Sequence, residues 1–224
     1  MIVRALAAFV VALSAAGTGA AQVYALATNP QGALTYNAGA AVAKVANDKL
    51  KLQMRVQPMA GSSTYAPLLN SGEVDLGFLN VEETLGAVHG LRSFEGKPNP
   101  NLRVLVALFP LPVAFVVPAD SSIKTMRDIK GQRIPVGFIG QLTLKVLQDA
   151  VFGAIGYSMK DVTGVPVVNT FQGVDALRDG KVDAAMTGVG IAQVQQAHVE
   201  LSSRGGVRYL PFDLDSTMIA EISK

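Results

Sequence analysis

The sequence has no cysteine and no tryptophan, only two histidines, and 16% charged residues against the quarter usual in globular proteins. Without cysteine there is neither a disulfide framework nor a thiolate nucleophile, and the fold has to rest on its core alone. The two histidines, His89 and His198, stand in no metal-ligand or nucleophile spacing and read as solvated helix residues. Glu82-Glu83 is a paired carboxylate suited in principle to acid–base work. Adjacent helical residues diverge by about 100 degrees, however, so a solvated first turn is the better reading. No catalytic residue, metal site or cofactor is therefore assigned. With 19 Lys and Arg against 17 Asp and Glu, all scattered, the formal charge is +2 and nothing calls for nucleic acid or an anionic membrane surface. Low-complexity tracts and solenoid repeats are absent too.

What the chain has is apolar residues: 50% of it is hydrophobic, with Val and Ala prominent, which suits buried parallel strands covered by helices. Residues 1–21 have the layout of a targeting segment. Arg4 supplies a positive start, Ala5 to Leu13 is an apolar run too short to span a bilayer, and Gly19-Ala20-Ala21 offers small residues for cleavage near Ala21. The expectation is an exported, periplasmic protein, its fold built from the remaining residues.

The remainder is organised around Asn101 to Asp120, two short apolar runs broken by Pro110 and Pro112. On either side the same pattern is written twice, LLNSGEVDLGF from Leu68 and ALRDGKVDAAM from Ala176. Each copy is a helix end, a glycine stop (Gly72, Gly180) and a strand opening Val-Asp. The two stops lie 180 − 72 = 108 residues apart, which predicts two similar α/β lobes joined by a crossing strand. Asp75 and Asp183, at the strand starts, are expected to be structural and to lie opposite any cleft.

In order, the pattern predicts a strand at 23–27, a helix at 34–50, a strand through Leu52, Met54 and Val56, a helix ending near Asn70 that Ser62 or Ser63 caps, and a strand at 74–79. Beyond the crossing come a strand at 132–137, a helix at about 143–153, a strand at 165–168, a helix at 171–179, a strand at 182–186, a helix near 192–201 and a strand at 207–210.

In such lobes ligands meet the carboxyl ends of strands, where helix N-termini present unpaired N–H groups. Three loops hold that position: Thr28–Thr35, Met59–Thr64 and Gly137–Thr143. Gly32, Gly61 and Gly140 would let backbone approach a ligand, and Ser62, Ser63 and Thr143 add hydroxyls. Asn29, Gln31 and Gln141 lie in the same loops. Asn80, Glu82, Thr187 and Gly188 follow third strands and are candidates for the cleft wall. Tyr36 and Tyr65 either stack on the ligand or pack an early helix face. Each loop taken singly is also compatible with an ordinary strand-to-helix turn.

Three segments, QPMAGSSTYAPLLNSGEVDLGFLN, NLRVLVALFPLPVAFVVPADSSIKTMRDIKGQRIPVG and ALRDGKVDAAMTGVG, resemble signature segments of the solute-binding receptors of the TAXI subclass of TRAP transporters. They stand in that family's usual order. The resemblance implies an α/β, two-lobed type II periplasmic binding protein fold, each lobe a mainly parallel sheet flanked by helices, with a ligand cleft between the lobes. It implies a receptor that captures a small organic anion (a dicarboxylate, keto acid or amino acid such as glutamate) and delivers it to integral-membrane TRAP permease subunits. The expected layout is a signal peptide at 1–21, a first lobe at 22–112, a second at 113–212, and the start of a return segment at 213–224. Family members continue further, returning to the first lobe. The chain departs from the family in its first loop, ATNPQGALTYNAG, and at GQLT, where Gln141 and Leu142 replace a small pair and narrow the cleft. A sensor signalling to a membrane kinase, or an enzyme on the same fold, are the alternatives.

Overall fold

The structure is a computed structural model that describes residues 22–212. The expected targeting segment at 1–21 and the expected return segment at 213–224 lie outside the described residues. The chain forms an α/β fold with parallel sheets flanked by helices, as the patterning predicts. In the first lobe, β1 (Val23–Thr28), β2 (Gln53–Pro58) and β3 (Leu76–Gly77) make a parallel sheet in the order β2-β1-β3. Helices α1 (Leu34–Leu50), α2 (Ser62–Ser71) and α3 (Val81–His89) connect or follow these strands. The second lobe has β4 (Val113–Pro118), β5 (Arg133–Gly137), α4 (Leu142–Ala154), β6 (Thr163–Val167), α5 (Thr170–Arg178), β7 (Ala185–Gly188), α6 (Ala192–Glu200) and β8 (Val207–Tyr209). β5 and β6 pair in parallel, while β4 lies between β7 and β8 and is antiparallel to both, so this lobe is mixed.

The sequence repeat survives in the backbone. α2 stops at Gly72 (φ 81°) and α5 is followed by Gly180 (φ 70°), both left-handed, as a helix stop requires of glycine. The aspartates then perform one task twice. Asp75 N–H donates to the Ala25 carbonyl (3.2 Å) while Ala25 N–H donates to the Asp75 carboxylate (2.7 Å). Asp183 N–H donates to the Arg133 carbonyl (2.8 Å) and Arg133 N–H to the Asp183 carboxylate (2.9 Å). Both pairs are 50 residues apart and tie the incoming strand to the start of the first parallel strand, far from the strand ends where a ligand would meet the sheet.

In the second lobe the Arg133 guanidinium adds a two-pronged contact to Asp183, at 3.0 and 2.6 Å. The hydrogen bond from Arg133 holds the Asp183 carboxyl below the usual aspartate range, against the opposing pull of partial burial. A depressed folded pKa stabilises at pH values above the unfolded one, and that stabilisation is lost as pH falls through the folded value. Asp183→Asn is therefore expected to lower stability by about 1 kcal/mol at neutral pH, a shift in melting midpoint of about 2–4 °C. The deficit should shrink in acid, where the wild-type carboxylate is itself protonated. A deficit equal at pH 7 and at about pH 3 would mean that the ion pair contributes nothing.

The core is unevenly shared. The second lobe packs one cluster of fifteen buried residues, including Phe115, Phe138, Phe152, Ile134 and Met186, and a second around Val116, Val174, Leu177 and Ala185. The first lobe has three small clusters, around Leu26, Tyr65 and Ala66. The helix α4 face expected from sequence is present, with Leu144 and Val151 buried in the large cluster and Leu147 against it.

The expected crossing strand is corrected by the structure. Only Val113–Pro118 enters a ladder. Residues 103–112 have no ladder partner among the described residues and are exposed, Val104 at 73% and Leu105 at 77%. An alternating or continuous apolar run states a preference for a sheet, but the strand forms only where backbone partners exist. The third strand of the first lobe is likewise shorter than the apolar run 74–79, with two residues in the ladder.

Candidate functional site

Two of the three predicted loops, Met59–Thr64 and Gly137–Thr143, meet each other across the lobes, and the first in chain order, Thr28–Thr35, reaches the start of α6 through Gly32. Gly61 precedes α2, and Gly140 and Gln141 precede α4, so two helix N-termini from opposite lobes face one another. Ser63 N–H donates to the Gly140 carbonyl (3.3 Å), and Leu142 N–H donates to the Ser63 hydroxyl oxygen (2.9 Å). The Ser63 hydroxyl in turn donates to the Glu83 carboxylate. One step along, the Thr143 hydroxyl donates to Glu82 Oε2 (3.1 Å), whose other oxygen accepts from Arg92 (3.0 Å). On the far side Asn169 Nδ2 donates to the Ala60 carbonyl (2.9 Å), and Ala192 N–H donates to the Gly32 carbonyl (3.3 Å).

Ser62 and Ser63 are not caps of their own helix; Gly61 takes the cap position and makes no side-chain bond. Ser63 instead accepts a free N–H from the first turn of α4 across the interface. The glycines serve the same approach. A Cβ on Gly61 would overlap the Gly140 carbonyl and the Gln141 side chain. A Cβ on Gly140 would lie 3.1 Å from the Ala60 carbonyl oxygen and 3.2 Å from Val168. Gly32 has φ 90°, and a Cβ there would come within 2.9 Å of Ala192 Cβ. The expected close approach of backbone to ligand is, in this structure, an approach of lobe to lobe.

Gln141 is buried and its Oε1 accepts from Thr170 N–H (2.9 Å), so it caps α5 from the neighbouring loop. Asn29 is buried beneath the site, 3.5 Å from the Tyr65 hydroxyl. Tyr65 is fully buried, its hydroxyl donating to the Phe78 carbonyl. Burial, helped by the nearby Glu83 charge, raises its pKa far above the ordinary phenol value. Thr187 and Gly188 end β7 and are buried, with the Thr187 hydroxyl 3.3 Å from that of Thr170. Asn80, half-buried at the start of α3, and Gln31 with Tyr36, bonded to each other at 3.3 Å, make none of the cross-lobe bonds. The loop carrying Gly140 also holds Phe138 at φ 44°, a left-handed backbone rarely taken by an aromatic residue and a mark of local strain.

Glu83 corrects the sequence reading of a solvated carboxylate pair. Glu82 is half-buried, but Glu83 is 2% exposed. Removal from water raises its pKa; the Ser62 and Ser63 hydroxyls beside it oppose the rise and Glu82 adds to it. Among the described residues, four buried side-chain atoms have no hydrogen-bond partner: Glu83 Oε2, Ser62 Oγ, Thr35 Oγ1 and Gln193 Oε1. All belong to the opening turns of helices that face the other lobe, and buried polar atoms are rarely left unpaired without a functional reason. Sequence reasoning also missed Asn169 and Thr170. Val168-Asn169-Thr170 is a fourth strand-to-helix junction, with Asn169 as a cap accepting from Gln172 N–H (3.1 Å), and the strand-end rule applied evenly would have found it.

Among the described residues there is no group of three or more His, Asp or Glu placed to hold a metal, and no helix long and apolar enough to cross a membrane. The arrangement provides N–H donors, hydroxyls and two carboxylates at a junction between lobes. That is equipment for holding a small polar solute.

Solved structures share this architecture. The alkanesulfonate-binding protein SsuA from Xanthomonas axonopodis pv. citri, bound to MOPS, is 18% identical, with a TM-score of 0.56 over 84% of this chain and 60% of that one. An ancestral arginine-binding protein bound to glutamine is 17% identical with a TM-score of 0.57, covering 90% of each chain. AbpA of Streptococcus pneumoniae, bound to L-arginine, is 12% identical with a TM-score of 0.57 over 84% of this chain and 74% of that one. The chain spans about 60% of the length of the SsuA structure. At these identities the likeness is one of fold, that of periplasmic solute-binding proteins. The sequence itself goes further, because the profile of the NMT1-like family matches it over residues 26–222, nearly its whole length, and the chain belongs to that family.

Proposed function

We propose that this protein is the extracytoplasmic receptor of a TRAP-type secondary transporter of the TAXI subclass. It captures a small organic acid, a dicarboxylate, keto acid or amino acid, between its lobes and hands it to membrane permease subunits. The observation that carries the reading is the meeting of the α2 and α4 N-termini through Ser63 and Gly140. Two positive helix ends aimed at one junction suit a carboxylate placed between them. Membership of the NMT1-like family and the shared binding-protein architecture support it. So do the three TAXI-like segments, the first of which supplies Ser62 and Ser63. The proposal needs no bond-making step. Binding proteins of this architecture work by rotation of lobes about a solute, and the Ser63–Gly140 contact belongs to the arrangement with the lobes together.

Thermal unfolding followed by circular dichroism, with and without a panel of dicarboxylates, keto acids and amino acids, tests it. A ligand present at a hundred times its dissociation constant adds about 2.7 kcal/mol, a shift in midpoint of roughly 5–10 °C for a chain of this size. A panel that moves nothing would sink the receptor reading.

A further inference from the structure

Resting on that receptor reading, we infer that Glu83 Oε2 and Ser62 Oγ form an ammonium-recognition point, so that the ligand is an α-amino acid and not a dicarboxylate or keto acid. Glu83 is 2% exposed and Ser62 is equally buried, yet one oxygen of each has no partner. The other Glu83 oxygen accepts from Ser63, the residue that bridges to the first turn of α4. Glu83 Oε2 therefore sits one hydrogen bond from the junction between the lobes, and Ser62 is the chain neighbour of the bridging Ser63. Among the described residues no Lys or Arg neutralises Glu83; the nearby guanidinium, Arg92, is committed to Glu82. The groups facing Glu83 are Ser62, Ser63, Tyr65 and Glu82, none of them a cation.

A buried carboxylate without a countercharge is unfavourable, and a cation with several hydrogen-bond donors removes the deficit. An ammonium group has three donors, enough for Glu83 Oε2 and Ser62 Oγ together. A second ligand carboxylate placed there would face Glu83 and Glu82 in one turn of α3, which is repulsive. The helix N-termini at Ser63 and Gly140 hold the ligand's carboxylate, and Glu83 holds its amino group. The two halves of a zwitterion are thus read by opposite charges of the same junction.

The test compares compounds that differ at the amino group alone. The full chain is titrated calorimetrically with L-glutamate, L-glutamine, L-arginine, 2-oxoglutarate and glutarate, and Glu83→Gln and Ser62→Ala are titrated beside it. The expected result is heat from one or more amino acids and none from 2-oxoglutarate or glutarate. Loss of a charged hydrogen bond should weaken that amino acid roughly ten- to a hundredfold in Glu83→Gln. The midpoint of the empty variant should stay or rise, since a neutral amide relieves a buried acid. Ser62→Ala should weaken the same compound by a smaller factor. Binding of 2-oxoglutarate or glutarate as tightly as of L-glutamate, or unchanged amino-acid affinity in Glu83→Gln, overturns the ammonium assignment and leaves the receptor reading standing. Heat from none of the compounds overturns both.

Discussion

Gly61→Ala is expected to hold the two lobes apart and to weaken any ligand that needs them together by roughly a hundredfold. Gly61 has φ 164°, extended backbone open to any residue, so alanine carries no local strain there. The whole effect comes from what its Cβ meets, the Gly140 carbonyl and the Gln141 side chain of the other lobe. A backbone carbonyl cannot swing aside as a flexible side chain can. Overpacking of this kind disfavours the packed state by about 1–3 kcal/mol, and backbone against backbone belongs at the upper end. A closed state made about 3 kcal/mol less favourable loses its population by that same factor, and apparent affinity follows. Because the chain has no cysteine, residues Lys49 and Lys160, both exposed and on opposite lobes, can be replaced by cysteine and labelled alone for distance measurement. The distance between labels should lengthen in Gly61→Ala, with the melting midpoint changed little. An unchanged distance together with unchanged affinity would mean that the Ala60–Ser63 and Gly140–Thr143 loops do not form the junction. Gly140→Val acts on the same contact from the other side and should behave alike, since its branches point at Ala60 and Val168.

Phe152→Ala carries the second large effect, this time on stability. Phe152 is fully buried in α4, its ring 6.0 Å from that of Phe115 in β4 at an interplanar angle of 18°. Phe115 also meets Phe212 edge-on at 6.4 Å, so the three rings tie α4 to the crossing strand and to the chain that leaves β8. Truncating a buried phenylalanine typically removes about 3–5 kcal/mol through lost transfer energy and the cavity left behind. For a chain of this length that is on the order of 10 °C in melting midpoint. The uneven distribution of core sharpens the expectation. The large cluster lies wholly in the second lobe, while the first lobe has only small ones, so the second lobe is the stable body against which the first is held. The melt of Phe152→Ala should therefore remain a single transition moved downward. A new early transition with the main one unmoved would show that the lobes unfold independently and that the large cluster does not govern the whole.

The periodicity of the chain made most of the elements legible. Helix α1 runs from Leu34 to Leu50 as its pattern predicts, and α4, α5 and α6 lie within a residue or two of expectation, because their apolar spacing and glycine or polar ends are local signals. The doubled Gly-x-Val-Asp motif predicted both the stops at Gly72 and Gly180 and the structural use of the two aspartates. Extended segments were less legible. Val104 to Leu111 reads as a strand but lies outside the ladders, since strand formation depends on a partner that no local pattern specifies.

For the site, the sequence by itself determined three of the four loops that stand at the strand ends and the glycine in each, Gly32, Gly61 and Gly140. It determined this through the fixed geometry of a strand leading into a helix. Only the tertiary structure decided what those loops touch. Ser63 reaches across to α4, Gln141 caps α5, and Glu83, adjacent to half-exposed Glu82, is buried without a countercharge among the described residues. Two neighbouring glutamates look alike in sequence. The difference between them arises because successive side chains on a helix point about 100 degrees apart, and only the packing of α3 against α2 and α4 fixes which one faces inward.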